Sequence, residues 1–396
     1  MRTGRWISLL GLTLLVACDD SYKPPPRPPP PVAPSPAPTP APAPAPAKPA
    51  APVDPLTAIA TRGSHTCGLR KSGAVACWGK NSDGQLGDGD RVDQPRAVTV
   101  AGLSDISELA LGLQFSCARK HSGQVMCWGN NEDGQLGDGK GAKPGARSLV
   151  PVAVSGVADA TQLSAGDGHV CALRRGGAVS CWGLAGDGQL SAVSERSASP
   201  LAIAGLTQVV QIASGSNHVC ARRQTGAVLC WGRNTEGQLG DGVSGSKIKP
   251  VAVKGLGDAV DLVSGGNHSC ARRRGGAVVC WGANSQGQLG DGTTGSFAQR
   301  TPVAVQGLGE LAELALGHDH SCARASDGKV SCWGANKAGQ LGDGTTSAHP
   351  RPTPVPRILD VTDLALGTAH SCALQRSGNV TCWGSDEHRA LGPRHL

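Results

Sequence analysis

The chain has 396 residues, with 37 Lys+Arg against 30 Asp+Glu, 15 cysteines and only 3% aromatic residues. From Leu56 onward, 32 basic and 27 acidic side chains leave +5, too small a surplus to argue for a nucleic-acid partner. Aromatic poverty weighs against a sugar-binding surface and against an interface rich in binding hot spots, since both lean on aromatic side chains.

In chain order, Arg2 and Arg5 precede a short apolar stretch from Ile7 to Val16, which closes on Leu15-Val16-Ala17-Cys18. That stretch is too short to span a bilayer and predicts an export signal over residues 1–18. The Leu-Val-Ala-Cys ending resembles a bacterial lipoprotein cleavage box, which implies cleavage before Cys18, lipidation of its sulfur and a membrane anchor. An ordinary signal with an unrelated cysteine is the alternative. Residues 19–55 are expected to be a disordered tether, because 17 prolines fall among residues 23–55, mostly alternating with alanine. Such a segment builds no core and favours polyproline II at about 3.1 Å per residue, a reach of roughly 100 Å. A docking ligand at Pro24 to Pro31 is the other use of such a stretch.

Residues 56–396 repeat one pattern seven times: Cys, nine residues, Cys, Trp-Gly. The pattern pairs Cys67 with Cys77, Cys117 with Cys127, Cys171 with Cys181 and Cys220 with Cys230. It goes on to pair Cys270 with Cys280, Cys322 with Cys332 and Cys372 with Cys382. Successive tryptophans from Trp78 to Trp383 lie 50, 54, 49, 50, 52 and 50 residues apart. A period near 50 with strand-like content predicts an all-β, seven-bladed β-propeller of four-stranded antiparallel blades. In the fifth repeat, Val251–Val253, Ala259–Ser264, Ser269–Arg272 and Ala277–Trp281 read as four strands of one blade, divided by glycine-rich turns.

The paired cysteines bracket a tight hairpin and should oppose each other across two strands, within disulfide reach. In an oxidising compartment all seven pairs are expected to close, each contributing about 2.5–3 kcal/mol by the chain-entropy estimate. Zinc held by His268, Cys270 and Cys280 is the competing use, but such sites seldom recur identically along an exported chain. His65, His169, His218, His268, His320 and His370 share one position, with Phe115 in the second repeat. Each is expected to bond its own glycine-rich turn rather than hold a metal. Asp88, Asp138, Asp187, Asp241, Asp291 and Asp343 are read as turn formers of the long loops. The tryptophans are assigned to packing within and between blades.

The motif His-x-Cys-Ala-x-x-x-x-Gly-x-Val-x-Cys-Trp-Gly-x-Asn-x-x-Gly-Gln-Leu-Gly-Asp-Gly resembles the regulator of chromosome condensation repeat over about residues 56–396. The resemblance implies a seven-bladed propeller. The founding member is a nuclear guanine-nucleotide exchange factor that binds chromatin, neither of which an exported chain meets. A cysteine pair in every repeat departs from the nuclear pattern and suits an exported bacterial branch. One secreted relative inhibits a β-lactamase, which implies that the scaffold can serve protein binding. No functional residue of either relative maps onto this chain.

Specificity should lie where the repeats differ. Hairpin tips between the cysteines are basic (Arg272, Arg273 and Arg274 above all) and should share one face, with the acidic Gln-Leu-Gly-Asp-Gly loops on the other. Carboxylates such as Asp105, Glu108, Asp159, Asp258, Asp261, Glu310 and Glu313 return to the basic face and are available to pair with it. The second repeat extends its loop with Lys140, Lys143 and Arg147, and the fifth with Phe297. These four residues and the three arginines are the candidate binding residues. The last repeat has no Pro-Val-Ala-Val strand after Gly392, and residues 51–55 are expected to supply it and fasten the ring. Nothing resembles a catalytic motif, a cofactor site or a metal site. An enzyme would need unique buried ionisable groups at the channel mouth, whereas a binder would show loop variation only, and loop variation is what the repeats display. The expected function is therefore a non-catalytic, monomeric protein-binding or scaffold propeller, tethered in the bacterial cell envelope and meeting envelope proteins. The alternative is an anionic envelope-polymer or glycan binder that uses the basic face.

Overall fold

A computed structural model describes residues 25–27, 54–192, 194–295 and 298–392. It holds seven antiparallel sheets, six with four strands and the seventh with three among the described residues. The innermost strands are Leu56–Arg62, Ile106–Leu111, Ala160–Ala165, Val209–Ser214, Ala259–Ser264, Leu311–Leu316 and Val361–Leu366. Each contacts the innermost strand of the next blade, and the last contacts the first, so the blades form a closed ring. The fold is a seven-bladed β-propeller. Among the described residues, no helix is long and apolar enough to cross a membrane.

The paired cysteines sit opposite each other in register on the second and third strands of each blade, as Cys270 does opposite Cys280. All seven pairs are bonded. In blades one to four Cys67 joins Cys77, Cys117 joins Cys127, Cys171 joins Cys181 and Cys220 joins Cys230. In blades five to seven Cys270 joins Cys280, Cys322 joins Cys332 and Cys372 joins Cys382. With both sulfurs spent on the bridge, Cys270 and Cys280 offer no thiolate for the zinc alternative beside His268. Cys18, the lipidation candidate, lies outside the described residues.

One expectation needs correction. The strand containing Val251 (Lys247–Ala252) pairs with Val228–Gly232, so it is the outer strand of blade four and not the first strand of blade five. The reason is connectivity: after the third strand the long loop turns the chain back along the outer edge of its own sheet. Only then does the chain cross to the next innermost strand.

Trp and Cys, adjacent on the third strand, face opposite sides of the sheet. The Cys side belongs to its own blade's core, while the Trp side fills the core of the preceding blade. Trp128 packs with Cys67, Cys77, Leu86 and Val100 of blade one, and Trp78 packs with Cys372, Leu374 and Val380 of blade seven. The glycine-rich loop explains the fit. Gly87 lies against Trp128, where any side chain would collide with the indole. The indole N–H of Trp128 donates to the Gln85 carbonyl at 2.8 Å, and this bond recurs at every later seam up to Trp383 and Gln340. At the closing seam Ala390 stands where the other loops carry glutamine, and Trp78 has no such bond. Arg389 takes φ 62° there, at a place that Gly84 and its counterparts fill elsewhere.

Blade seven ends at its third strand, Val380–Gly384, among the described residues. Residues 51–53, most of the segment expected to complete it, lie outside the described residues. Of that segment, Asp54 accepts from the Ser72 backbone and hydroxyl at 3.0 and 2.6 Å, and the Pro55 carbonyl accepts from Lys71, so both are tied to the tip of blade one.

Candidate functional site

The two faces of the ring are built by different connections. One face carries the hairpin tips between second and third strands, together with the crossings into each new blade. The other carries the long loops and the short turns that end the innermost strands.

On the tip face the predicted basic charge is compensated in part, by five arginine–carboxylate ion pairs among the described residues. Arg119 pairs with Glu108 at 2.7 Å, Arg174 with Asp159 at 2.7 Å and Arg324 with Glu313 at 2.8 Å. Of the three candidate arginines, Arg273 is held by Asp258 at 2.8 Å and Arg272 lies 4.0 Å from Asp261, while the Arg274 side chain is exposed. Glu108, Asp159, Asp258, Asp261 and Glu313 thus meet arginines as the sequence suggests, while Asp105 bonds His121 instead. Asp363 differs, because Leu374 faces it where other blades place arginine. Burial, then the neighbouring Glu313, push its carboxyl up to about 7.

On the loop face the extended loop of blade two brings Lys140, Lys143 and Arg147 round one cleft of about 250 Å³. Leu136 and Val152 form its apolar wall. Two hydrogen bonds shape the loop: the Asn131 backbone N–H donates to the Ala146 carbonyl at 2.8 Å, and the Glu132 carboxylate accepts from the Gly145 N–H at 2.8 Å. Lys140 stands 3.8 Å from Asp138 and remains largely exposed, while one terminal nitrogen of Arg147 is buried without a partner. Three cations above an apolar floor suit an anionic group carried on an aliphatic stem. Phe297 lies outside the described residues. The cleft and Arg272–Arg274 are on opposite faces, so the seven candidate residues do not make one site.

The long-loop aspartates act locally as expected, with Asp88, Asp241, Asp291 and Asp343 accepting from Asn81, Asn234, Asn284 and Asn336 at 3.1–3.2 Å. Asp187 does not belong in that set. Its backbone N–H donates to Gln189, as that of Asp83 does to Gln85, so it is the counterpart of Asp83, and blade three carries Ala185 and Ala192 where the Asn–Asp clamp would sit.

The histidines make a belt between blades. Their main chains bond the glycine turns, as in Gly215 N–H to His218 C=O, but the imidazoles reach into the next blade. His65 meets Ser116 at 2.9 Å, and Ser116 donates its only hydroxyl hydrogen to the Gln85 carbonyl. The His65 Nε2 must therefore be the donor. The same pattern joins His268 to Ser321 and His320 to Ser371, and His218 meets Ser269 at 2.7 Å. Full burial holds these imidazoles down at about 3 to 4, uncharged at neutral pH.

At the loop-face mouth of the channel lies a cluster that the repeats do not share. Arg62 occupies the place where other turns have glycine (Gly112, Gly166, Gly215), and its Nε and a terminal nitrogen both reach Asp167 Oδ1 at 2.9 Å. His318 lies beside them and bonds Asp319 at 2.8 Å, which raises its pKa. Burial pushes the Asp167 carboxyl up, but Arg62 and the Ser216 hydroxyl together hold it below its usual value. Variation is therefore not confined to loops. The cavity at this cluster is only about 10 Å³, and the ionisable groups are spent on one another. The Arg62–Asp167 pair ties blade one to blade three at this mouth. A shifted glycine in Arg62-Gly63-Ser64-His65 is the available signal for it.

A family profile described as an RCC1-like domain matches residues 139–395, and profiles of the regulator of chromosome condensation (RCC1) repeat match residues 57–85, 106–135 and 72–119. The chain belongs to the RCC1-repeat family. Among solved structures, yeast RCC1 (Prp20) bound to Kap60 is similar over 86% of this chain and 81% of its own, with 24% identity and a TM-score of 0.72. Human WBSCR16 is similar over 84% and 87%, with 22% identity and a TM-score of 0.73. The receptor kinase CR4 ectodomain of Physcomitrella patens shares 23% identity over 84% of this chain and 75% of its own, at a TM-score of 0.52. At these identities the likeness is one of fold.

Proposed function

We propose that this RCC1-repeat protein is a non-catalytic scaffold that binds protein partners in the bacterial cell envelope. Residues 1–18 would direct export and lipidation at Cys18, residues 19–55 would form the tether, and residues 56–396 the binding propeller. Seven disulfides favour an oxidising compartment. A yeast relative, Prp20, is seen in complex with the protein Kap60, an instance of this fold meeting a protein partner. The observation that carries the reading is the blade-two cleft, where Lys140, Lys143 and Arg147 converge on a loop the scaffold does not need. The test is affinity capture from envelope extract with the oxidised protein, washed at low and then high salt. A discrete protein that survives high salt, and is lost when residues 140–147 are shortened to the length of a sibling loop, supports the reading. Recovery of anionic polymer alone, released by salt, would favour the polymer-binding alternative on the tip face. Cys18→Ser should release the protein from membranes, and retention of that variant would sink the lipid anchor.

A further inference from the structure

The tip face repeats one electrostatic arrangement and breaks it once. In four blades an arginine of the second strand faces a polar residue of the innermost strand: Arg119 faces Glu108, Arg222 faces Gln211, Arg272 faces Asp261 and Arg324 faces Glu313. Only Arg222 meets an amide, donating to Gln211 Oε1 at 2.8 Å. The next position repeats the exception. Arg174 and Arg273 each meet the aspartate that precedes their innermost strand, whereas blade four has Gln208 there, and Arg223 donates to the Gly205 carbonyl at 3.3 Å. Among the described residues, neither Arg222 nor Arg223 forms an ion pair. A guanidinium has five N–H donors, and a single amide oxygen leaves most of the Arg222 fork unanswered.

Beside this gap opens a groove of about 520 Å³, lined by Arg222, Arg272, Gln211, Val210 and Val260 together with one acid, Asp261. The valines are 44% and 37% exposed. Blades one, three and seven place Thr57, Thr161 and Thr362 at the same position, where each hydroxyl bonds a carbonyl of the second strand. Blades four and five thus exchange a local hydrogen bond for exposed aliphatic surface next to a cation with no ion-pair partner of its own, since the nearby Asp261 accepts from Gln211 at 2.8 Å and lies beside Arg272 at 4.0 Å.

We propose that this groove binds an acidic segment of a protein partner, with Arg222 taking a carboxylate and Val210 and Val260 covering the flanking methylenes. The partner supplies in trans the acid that sibling blades carry in cis. An arginine fork matches a carboxylate in two parallel hydrogen bonds, and the aliphatic flanks favour a peptide over a bare polyanion. This inference rests on the protein-binding reading and names the chemistry of one site within it.

The test is calorimetric titration of the oxidised protein at low salt with the capped peptide acetyl-Ala-Glu-Val-Glu-Ala-Glu-amide and with its all-glutamine counterpart. Saturable binding of the acidic peptide alone is expected. Arg222→Leu should weaken it at least ~10-fold. The fold should tolerate that variant, since Leu69, Leu173 and Leu374 occupy the same position in three other blades. Arg376→Leu removes an equal charge from an exposed tip of the same face and should change binding less than about twofold. Equal losses in both variants, binding of the glutamine peptide, full displacement by equimolar inorganic phosphate, or no binding at all would each overturn the proposal. A captured partner held equally by the wild type and Arg222→Leu would sink this site and leave the scaffold reading intact. Specific peptide binding with no captured partner would support the site and count against the scaffold reading.

Discussion

The seam between blades two and three and the seam between blades three and four both lack the serine that the histidine belt uses, and they answer its loss differently. Across the first, Val170 packs in one apolar cluster with Phe115, so the histidine has been exchanged along with the serine. Across the second, the serine position is Val219 while His169 remains, fully buried and with neither ring nitrogen bonded. Replacing both partners of a buried hydrogen bond by apolar groups is close to neutral, whereas replacing one strands the other without water. Belt residues should therefore be understood as pairs that span a seam, not as one histidine per repeat.

Acid should produce the largest effect, because it charges what every matched seam keeps neutral. Buried histidines held at about 3 to 4 bind protons in the unfolded chain from about pH 6.5 downward but not in the fold. Their contribution is complete above that pH and is lost as pH falls, at about 1.4 kcal/mol per pH unit for each such histidine. Asp363, raised to about 7, acts with the opposite sign, as do His318, Glu108 and Asp133, which are also raised, against the six fully buried histidines. Denaturant midpoints should thus fall steeply from about pH 7 to pH 4.5, and a flat profile would contradict the neutral belt.

Breaking a matched seam comes next. Ser269→Val should cost about 1–3 kcal/mol by stranding His218, and adding His218→Phe should recover most of it by copying the blade-two solution. A double variant no more stable than the single would show that the two seams are not alternative solutions to one problem. The smallest effect is a gain. Val219→Ser should give His169 its missing acceptor and stabilise the fold by about 0.5–1.5 kcal/mol. A loss on thermal or denaturant melting would mean that His169 is held for another reason.

The ring is legible in the chain because its framework residues have no freedom to vary. Each Trp must fill a neighbouring core and each Cys must meet its opposite, so both recur at nearly constant spacing. The blade boundary is harder to see. The outer strand follows a long loop and precedes the next Cys pair, and its position in the chain does not say which neighbour it joins. Asp187 misleads because its loop lost the second Asp while retaining the first. The belt partners are hidden because His65 and Ser116 lie 51 residues apart in different repeats, and nothing within one repeat marks the connection. Arg62 escapes for a related reason: its partner Asp167 sits two blades away. Blade four is the opposite case, since Gln208 and Gln211 are plain substitutions whose meaning emerges only once the register shows which arginine each faces.

Every seam runs in the same sense round the ring, with a tryptophan handed back across each, and, where the belt is intact, a histidine offered forward and a hydroxyl handed back. No blade owns a complete core. Blade one is finished by Trp128 and blade seven by Trp78. A linear array of repeats can lose or gain a member if its ends are capped. This closed circuit has no end to cap, and removing a blade would leave one indole without a pocket and one pocket without an indole. Change is thereby steered away from the number of blades and into the loops, the crossings, the tips and strand positions such as Val210 and Arg222 that stand outside the buried clusters.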